Sequence, residues 1–114
     1  MKSIYEGGIC GGVKGTKTYG RTKSQIINTI YDIIELQKGE LILSDTRLGN
    51  IHYELKMYDY VWELLYTITD TGTGNCSVSI RIIGERRDKA REIRREFALL
   101  DMMLSEGAEV EMSE

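Results

Sequence analysis

Tyr53, Trp62, Tyr66 and Phe97 are the side chains in this sequence best suited to holding a ligand. The first three sit near Tyr58 and Tyr60 on segments that alternate apolar and polar residues, and Phe97 lies on a later segment with helical spacing. Aromatic rings on a sheet beneath a helix ordinarily form core. Tyrosine hydroxyls, however, need hydrogen-bond partners when buried, and a group of them can line a small amphipathic cavity. That is binding chemistry rather than catalysis.

A second group is cationic. Lys14, Lys17 and Arg21 lie within or just after a run containing Gly7, Gly8, Gly11, Gly12 and Gly15, and glycine admits close backbone approach by an anion. The run does not satisfy the phosphate-loop pattern G-x-x-x-x-G-K-[ST], because Thr16 separates Gly15 from Lys17. Further on, Arg86, Arg87, Lys89, Arg91, Arg94 and Arg95 form a basic run, diluted by Asp88, Glu92 and Glu96 at helical spacings. Such a pattern reads as a solvated, charge-laced helix face. Arg86 and Arg87 fall in the first turn of that expected helix, where the dipole disfavours cations. With Lys14, Lys17 and Arg21, they are the expected contacts for an anion or partner.

Other chemistries find little support. His52 is the single histidine, and pairing it with Glu54 on the same strand face makes at most a weak general base. Asp45 and Arg47 flank the Gly49 turn, where polar residues collect anyway. Cys10 and Cys76 form no metal-type cluster and are expected to be reduced. Without a nucleophile–base constellation or a metal cluster, the reading is of a non-enzymatic chain with no cofactor and no metal.

The 114 residues carry 18 acidic and 15 basic side chains, a net charge of −3, so no global field points to nucleic acid. Weak, non-specific binding to DNA or RNA is the most that this balance predicts. No stretch approaches the ~18 apolar residues of a membrane span, and glycines interrupt the run a signal peptide would need. A cytoplasmic location is expected. The length suits one domain, read here as residues 1–107, with 108–114 a frayed acidic tail.

The elements that position these residues follow from periodicity. Thr22-Lys-Ser-Gln25 fits a capping box, and Ile26, Ile27, Ile30, Ile33 and Ile34 form one helical stripe, with Gly39 as the stop. Leu41–Ser44 reads as a short strand, followed by a turn at Gly49-Asn50. Residues 50–58 then bury odd positions and 60–69 even ones, which requires a turn or bulge near Tyr58–Tyr60. Residues 70–75 are a hairpin loop leading to a strand over 76–83. From Glu85 to about Glu106, Ala90, Ile93, Phe97, Leu100 and Leu104 mark a second helix with Met103 beside them. Residues 1–20 read as a glycine-interrupted strand or hairpin. The result is an α+β two-layer sandwich, β-α-β-β-β-β-α, with an antiparallel sheet covered by two helices.

This order resembles the helix-grip arrangement of the TATA-box-binding-protein-like fold, which START-like and birch-pollen-allergen-like lipid binders share. The resemblance rests on element order over most of the chain and implies a curved sheet wrapped around the last helix. Two functions follow as expectations. One is a small binding module holding an apolar or amphipathic ligand between the sheet and the C-terminal helix. The other is a protein- or nucleic-acid-interaction module using a sheet face or the basic helix 86–95.

Overall fold

The computed structural model describes residues 13–57, 60–84, 88–104 and 111–113. It is an α+β sandwich in the expected order: β1 (Lys14–Tyr19), α1 (Lys23–Leu36), β2 (Glu40–Asp45), β3 (Asn50–Met57), β4 (Tyr60–Asp70), β5 (Cys76–Ile83) and α2 (Lys89–Leu104). A short β6 (Glu111–Ser113) follows. The strands make one antiparallel sheet in the order β2-β3-β4-β5-β1-β6. β6 departs from the expectation of a frayed tail over 108–114, since Glu111–Ser113 pair with Thr16–Lys14. The outer edge of β1 offers unpaired backbone groups that even three residues can satisfy. The glycine-rich segment before Val13 lies outside the described residues.

The capping box forms as expected. The Thr22 amide donates to Gln25 Oε1 at 3.0 Å, and the Gln25 amide donates to Thr22 Oγ1 at 3.2 Å. All five isoleucines of the α1 stripe are buried. The helix stops before Gly39 as expected, but the left-handed residue of its cap is Lys38. The Gly39 amide donates to Ile34 O and the Lys38 amide to Glu35 O, a Schellman motif in which Lys38 takes the positive φ of 59°. Gly39 is needed for space instead: a Cβ there would lie 2.9 Å from the Tyr53 ring. Lys38→Gly is therefore expected to stabilise the protein by about 0.5–1 kcal/mol. The left-handed penalty of about 1–2 kcal/mol is relieved, and glycine's added entropy offsets part of it. A drop in the urea midpoint would contradict this.

Between β3 and β4, Met57 pairs with Tyr60, so the expected change of buried parity falls between these two positions; Tyr58 and Asp59 lie outside the described residues. β2 is longer than expected and contains a bulge between Leu41 and Leu43. Gly49 has φ +81°, and a Cβ there would meet Ile68 O at 2.2 Å, where the Ile68 amide donates to Gly49 O. No other residue fits that approach.

One sheet face forms the core with both helices. Tyr53, Leu55, Trp62, Leu64, Val78 and Ile80, with Ile93, Phe97 and Leu100 of α2, are all buried in one cluster, as the alternation predicts. Met103 is not part of it and is exposed. α2 starts at Lys89, so Arg86 and Arg87 precede the helix rather than load its first turn, and they lie outside the described residues.

Candidate functional site

The interior of the sandwich is not wholly apolar. Glu96 of α2 is fully buried, inserted between Ile93 and Leu100 on the helix stripe. Tyr53 of β3 donates its hydroxyl to Glu96 Oε1 at 2.7 Å, and Tyr66 of β4 donates to the same oxygen. Gln37 Nε2 donates to Oε2 at 3.0 Å and Arg95 Nη2 does so at 3.2 Å. The two tyrosine rings stack with centroids 6.1 Å apart. Four donors converge on one carboxylate, which is how a buried acid is accommodated without an unpaired polar atom. Sequence reading places Glu96 on the solvated face. The signal it passes over is spacing: Glu96 lies three residues after Ile93 and four before Leu100, inside the apolar stripe.

Both hydroxyls are held well above the ordinary tyrosine range, first by burial and then by the Glu96 charge. They therefore act as donors rather than bases at neutral pH. A group whose folded-state pKa is raised stabilises the fold below its unfolded value, and that stability is lost as pH rises beyond it. Stability is expected to fall above about pH 10, by up to about 1.4 kcal/mol per pH unit for each tyrosine. Urea unfolding at stepped alkaline pH checks this, and Tyr66→Phe should flatten the decline. An unchanged slope in that variant would contradict the assignment.

A second polar tie joins β1 to the end of α2. Lys17 is 4% exposed and its Nζ lies 2.5 Å from Asp101 Oδ1. Tyr19 donates its hydroxyl to the same oxygen at 2.8 Å. Arg21 Nη2 donates to the Leu104 carbonyl at 2.6 Å, where a helix C-terminus favours a cation. Among the expected cationic contacts, Lys17 and Arg21 thus hold α2 in place. Strand parity is the reason that Lys17 parts from Lys14: β1 turns Gly15, Lys17 and Tyr19 inward and leaves Lys14 and Thr16 outward.

The expected aromatic set is only partly brought together. Tyr53 and Tyr66 share Glu96, while Phe97 and Trp62 are buried in the surrounding core. Cys76 is buried and free; burial pushes its thiol up, with Asp70 adding to the effect. Cys10 lies outside the described residues. Among the described residues, no group of three or more histidine, cysteine or acidic side chains is placed to hold a metal.

Among the described residues the opposite sheet face carries no helix, and its side chains form ordered rows across the strands. Thr16 pairs with Ser79 and Ser79 with Thr67; one row along, Thr18 pairs with Ser77 and Ser77 with Thr69. Hydroxyls thus recur about 4.8 Å apart between strands and about 7 Å apart along them. The row on the other side is Lys14, Arg81, Leu65 and His52. Beyond it Glu63 pairs with Glu54, and Glu54 with Glu40. His52 Nε2 lies 3.4 Å from Glu63 Oε1. Lys14, Leu65, Thr67, Ser79 and Arg81 line a cleft of about 190 Å³. Sequence reading places His52 and Glu54 together on this face. It misses the array, whose signal is Thr-x-Thr at 16–18, Thr-x-Thr at 67–69 and Ser-x-Ser at 77–79 on the polar parity.

Lys14 and Arg81 stand directly opposite each other. Among the described residues neither has a carboxylate within ion-pairing distance, and Arg81 Nε is buried without a hydrogen-bond partner. Like charges facing across a pair of strands destabilise it by roughly 0.2–1 kcal/mol. Such a pair is what an anion would relieve.

Fold and site together define a small α+β protein with a polar seam in its interior and one sheet face on which no described helix packs. Comparison with known proteins finds no matching family model and no similar curated sequence. Among the described residues no helix is long and apolar enough to cross a membrane.

Proposed function

We propose that this chain is a small non-enzymatic binding module, and that the uncovered face of its sheet contacts an anionic partner. The observation that carries this reading is the facing pair of Lys14 and Arg81, which among the described residues has no carboxylate within ion-pairing distance. In a chain with more acids than bases, counterions are not scarce, yet among the described residues this row has none. The interior supports the same choice. The hydroxyls of Tyr53 and Tyr66 are taken up by Glu96, which favours the outer face over the space beneath α2 as the contact surface. The likeness to the helix-grip and TATA-box-binding-protein-like arrangement belongs to this reading too, supported by element order and by packing of both helices on one face. So does a cytoplasmic location, consistent with the buried free thiol of Cys76.

The test is retention on immobilised poly-L-glutamate at low salt. The wild-type protein, itself net negative, is expected to be retained and to elute as salt screens the contact. The Lys14→Glu/Arg81→Glu variant should flow through, while Arg91→Glu/Arg94→Glu on the exposed side of α2 should be retained. Wild-type flow-through, or loss of retention only in the α2 variant, overturns the reading.

A further inference from the structure

We infer that the cleft between Lys14 and Arg81 is a site for the terminal phosphate of a small phosphate monoester, an inference that rests on the uncovered face being the contact surface. Charge is the first argument. Two cations face one another, and among the described residues neither has an acid paired with it, while a monoester near neutral pH carries about −1.5 to −2. A carboxylate or a phosphodiester, with a single charge, would leave the pair half-compensated.

Donor supply is the second argument. The sheet's own ladder takes up the strand amides around the cleft, so recognition falls to side chains. Arg81 offers a buried Nε–H without a partner, and a guanidinium presents its donors as a planar fork matched to phosphate oxygens. Lys14 supplies a point charge from the adjacent strand. Thr16 Oγ1 and Ser79 Oγ share one hydrogen bond at 3.3 Å. Two hydroxyls joined by one bond keep one O–H unspent, and Ser79 lines the cleft. Thr67 is bound to Asn50 Oδ1 only at 3.3 Å, a long contact for a hydroxyl donor.

Size and polarity narrow the ligand further. A volume of about 190 Å³ holds a phosphate and a few attached atoms, and Leu65 supplies an apolar wall for the ester carbons. The row beyond, with Glu63 and Glu54, repels a second anionic group. The site therefore suits one terminal phosphate on a short carbon skeleton.

The experiment is a titration of isotope-labelled full-length protein with methyl phosphate and with dimethyl phosphate, followed by NMR at about pH 8 and constant ionic strength. Methyl phosphate is expected to shift the Arg81 Nε signal and the Ser79 and Thr67 amides saturably, with Kd on the order of a millimolar, the scale expected for so small a ligand. Dimethyl phosphate should bind at least about tenfold more weakly, and Arg81→Gln should weaken methyl phosphate about tenfold or more. Lys14→Met, in a solvent-facing row, should weaken it as well and serves as the second variant. Absence of saturable shifts, equal affinity for the diester, or indifference to both substitutions would overturn the phosphate assignment. If the face still determines retention on poly-L-glutamate while methyl phosphate fails to bind, only the phosphate assignment falls. If neither ligand is held, both do.

Discussion

Glu96→Ala is expected to lower unfolding free energy by about 3–5 kcal/mol, the cost of removing one partner from a buried charged cluster. The loss exceeds that of one hydrogen bond because of what stays behind. Tyr53 and Tyr66 would each keep a buried hydroxyl with its acceptor gone, and Gln37 and Arg95 would lose the oxygen they share. Each unsatisfied group carries its own desolvation penalty of about 1–3 kcal/mol. Removing the donors along with the acceptor should behave differently. A Glu96→Leu/Tyr53→Phe/Tyr66→Phe variant replaces the cluster by apolar groups of similar volume and should recover much of the loss. Urea unfolding of the wild type and these two variants, at one pH near neutrality, checks both statements. A Glu96→Ala loss below about 1 kcal/mol, the worth of a single ordinary hydrogen bond, would mean that water reaches the carboxylate and that the cluster is not closed.

Phe97→Ala is the other large effect, expected at about 3–5 kcal/mol. Phe97 is fully buried at the centre of the helix stripe, between Ile93 and Leu100. Removing its ring leaves a cavity against the sheet that neighbours of this rigidity fill only partly. The residue adjoins Glu96 on α2, so the two substitutions are not expected to add, and the double variant should fall short of the sum. Thermal unfolding of both single variants and the double variant measures the coupling. Strict additivity would show that the two positions support separate parts of the interface.

The division between legible and hidden features follows from which physical rule acts locally. Strand parity, the isoleucine stripe of α1 and the Asp70–Asn75 loop depend on near neighbours in sequence, and each is readable from spacing alone. The core formed by Tyr53, Leu55, Trp62, Leu64, Val78 and Ile80 follows directly from that parity. The Glu96 cluster does not, because its donors come from Gln37, Tyr53, Tyr66 and Arg95, brought together only by the packed sheet and helices. Sequence spacing places Glu96 on the stripe but cannot name what would satisfy it.

The cationic residues illustrate the same limit from the other side. Lys14, Lys17 and Arg21 are close in sequence and read as one group. Alternation on β1 sends Lys17 inward to Asp101, and the chain's turn into α1 carries Arg21 to the end of α2. Lys14 alone remains on the outer face, where its partner is Arg81, brought opposite it by antiparallel register. Register between β1 and β5 spans most of the chain, and no local pattern encodes it. Arg86 and Arg87 read as first-turn cations because the helical spacing extends back to Glu85, whereas α2 starts at Lys89.

The central claim is a division of labour between the two sheet faces, one closed around Glu96 and the other open for binding. Amide NMR during titration with a short poly-L-glutamate peptide tests it most directly. The account predicts shifts concentrated at Lys14, Thr16, Thr67, Ser79 and Arg81, with the signals of Tyr53, Tyr66 and Glu96 unmoved. Shifts centred on α2, or on the buried tyrosines and Glu96, would contradict it.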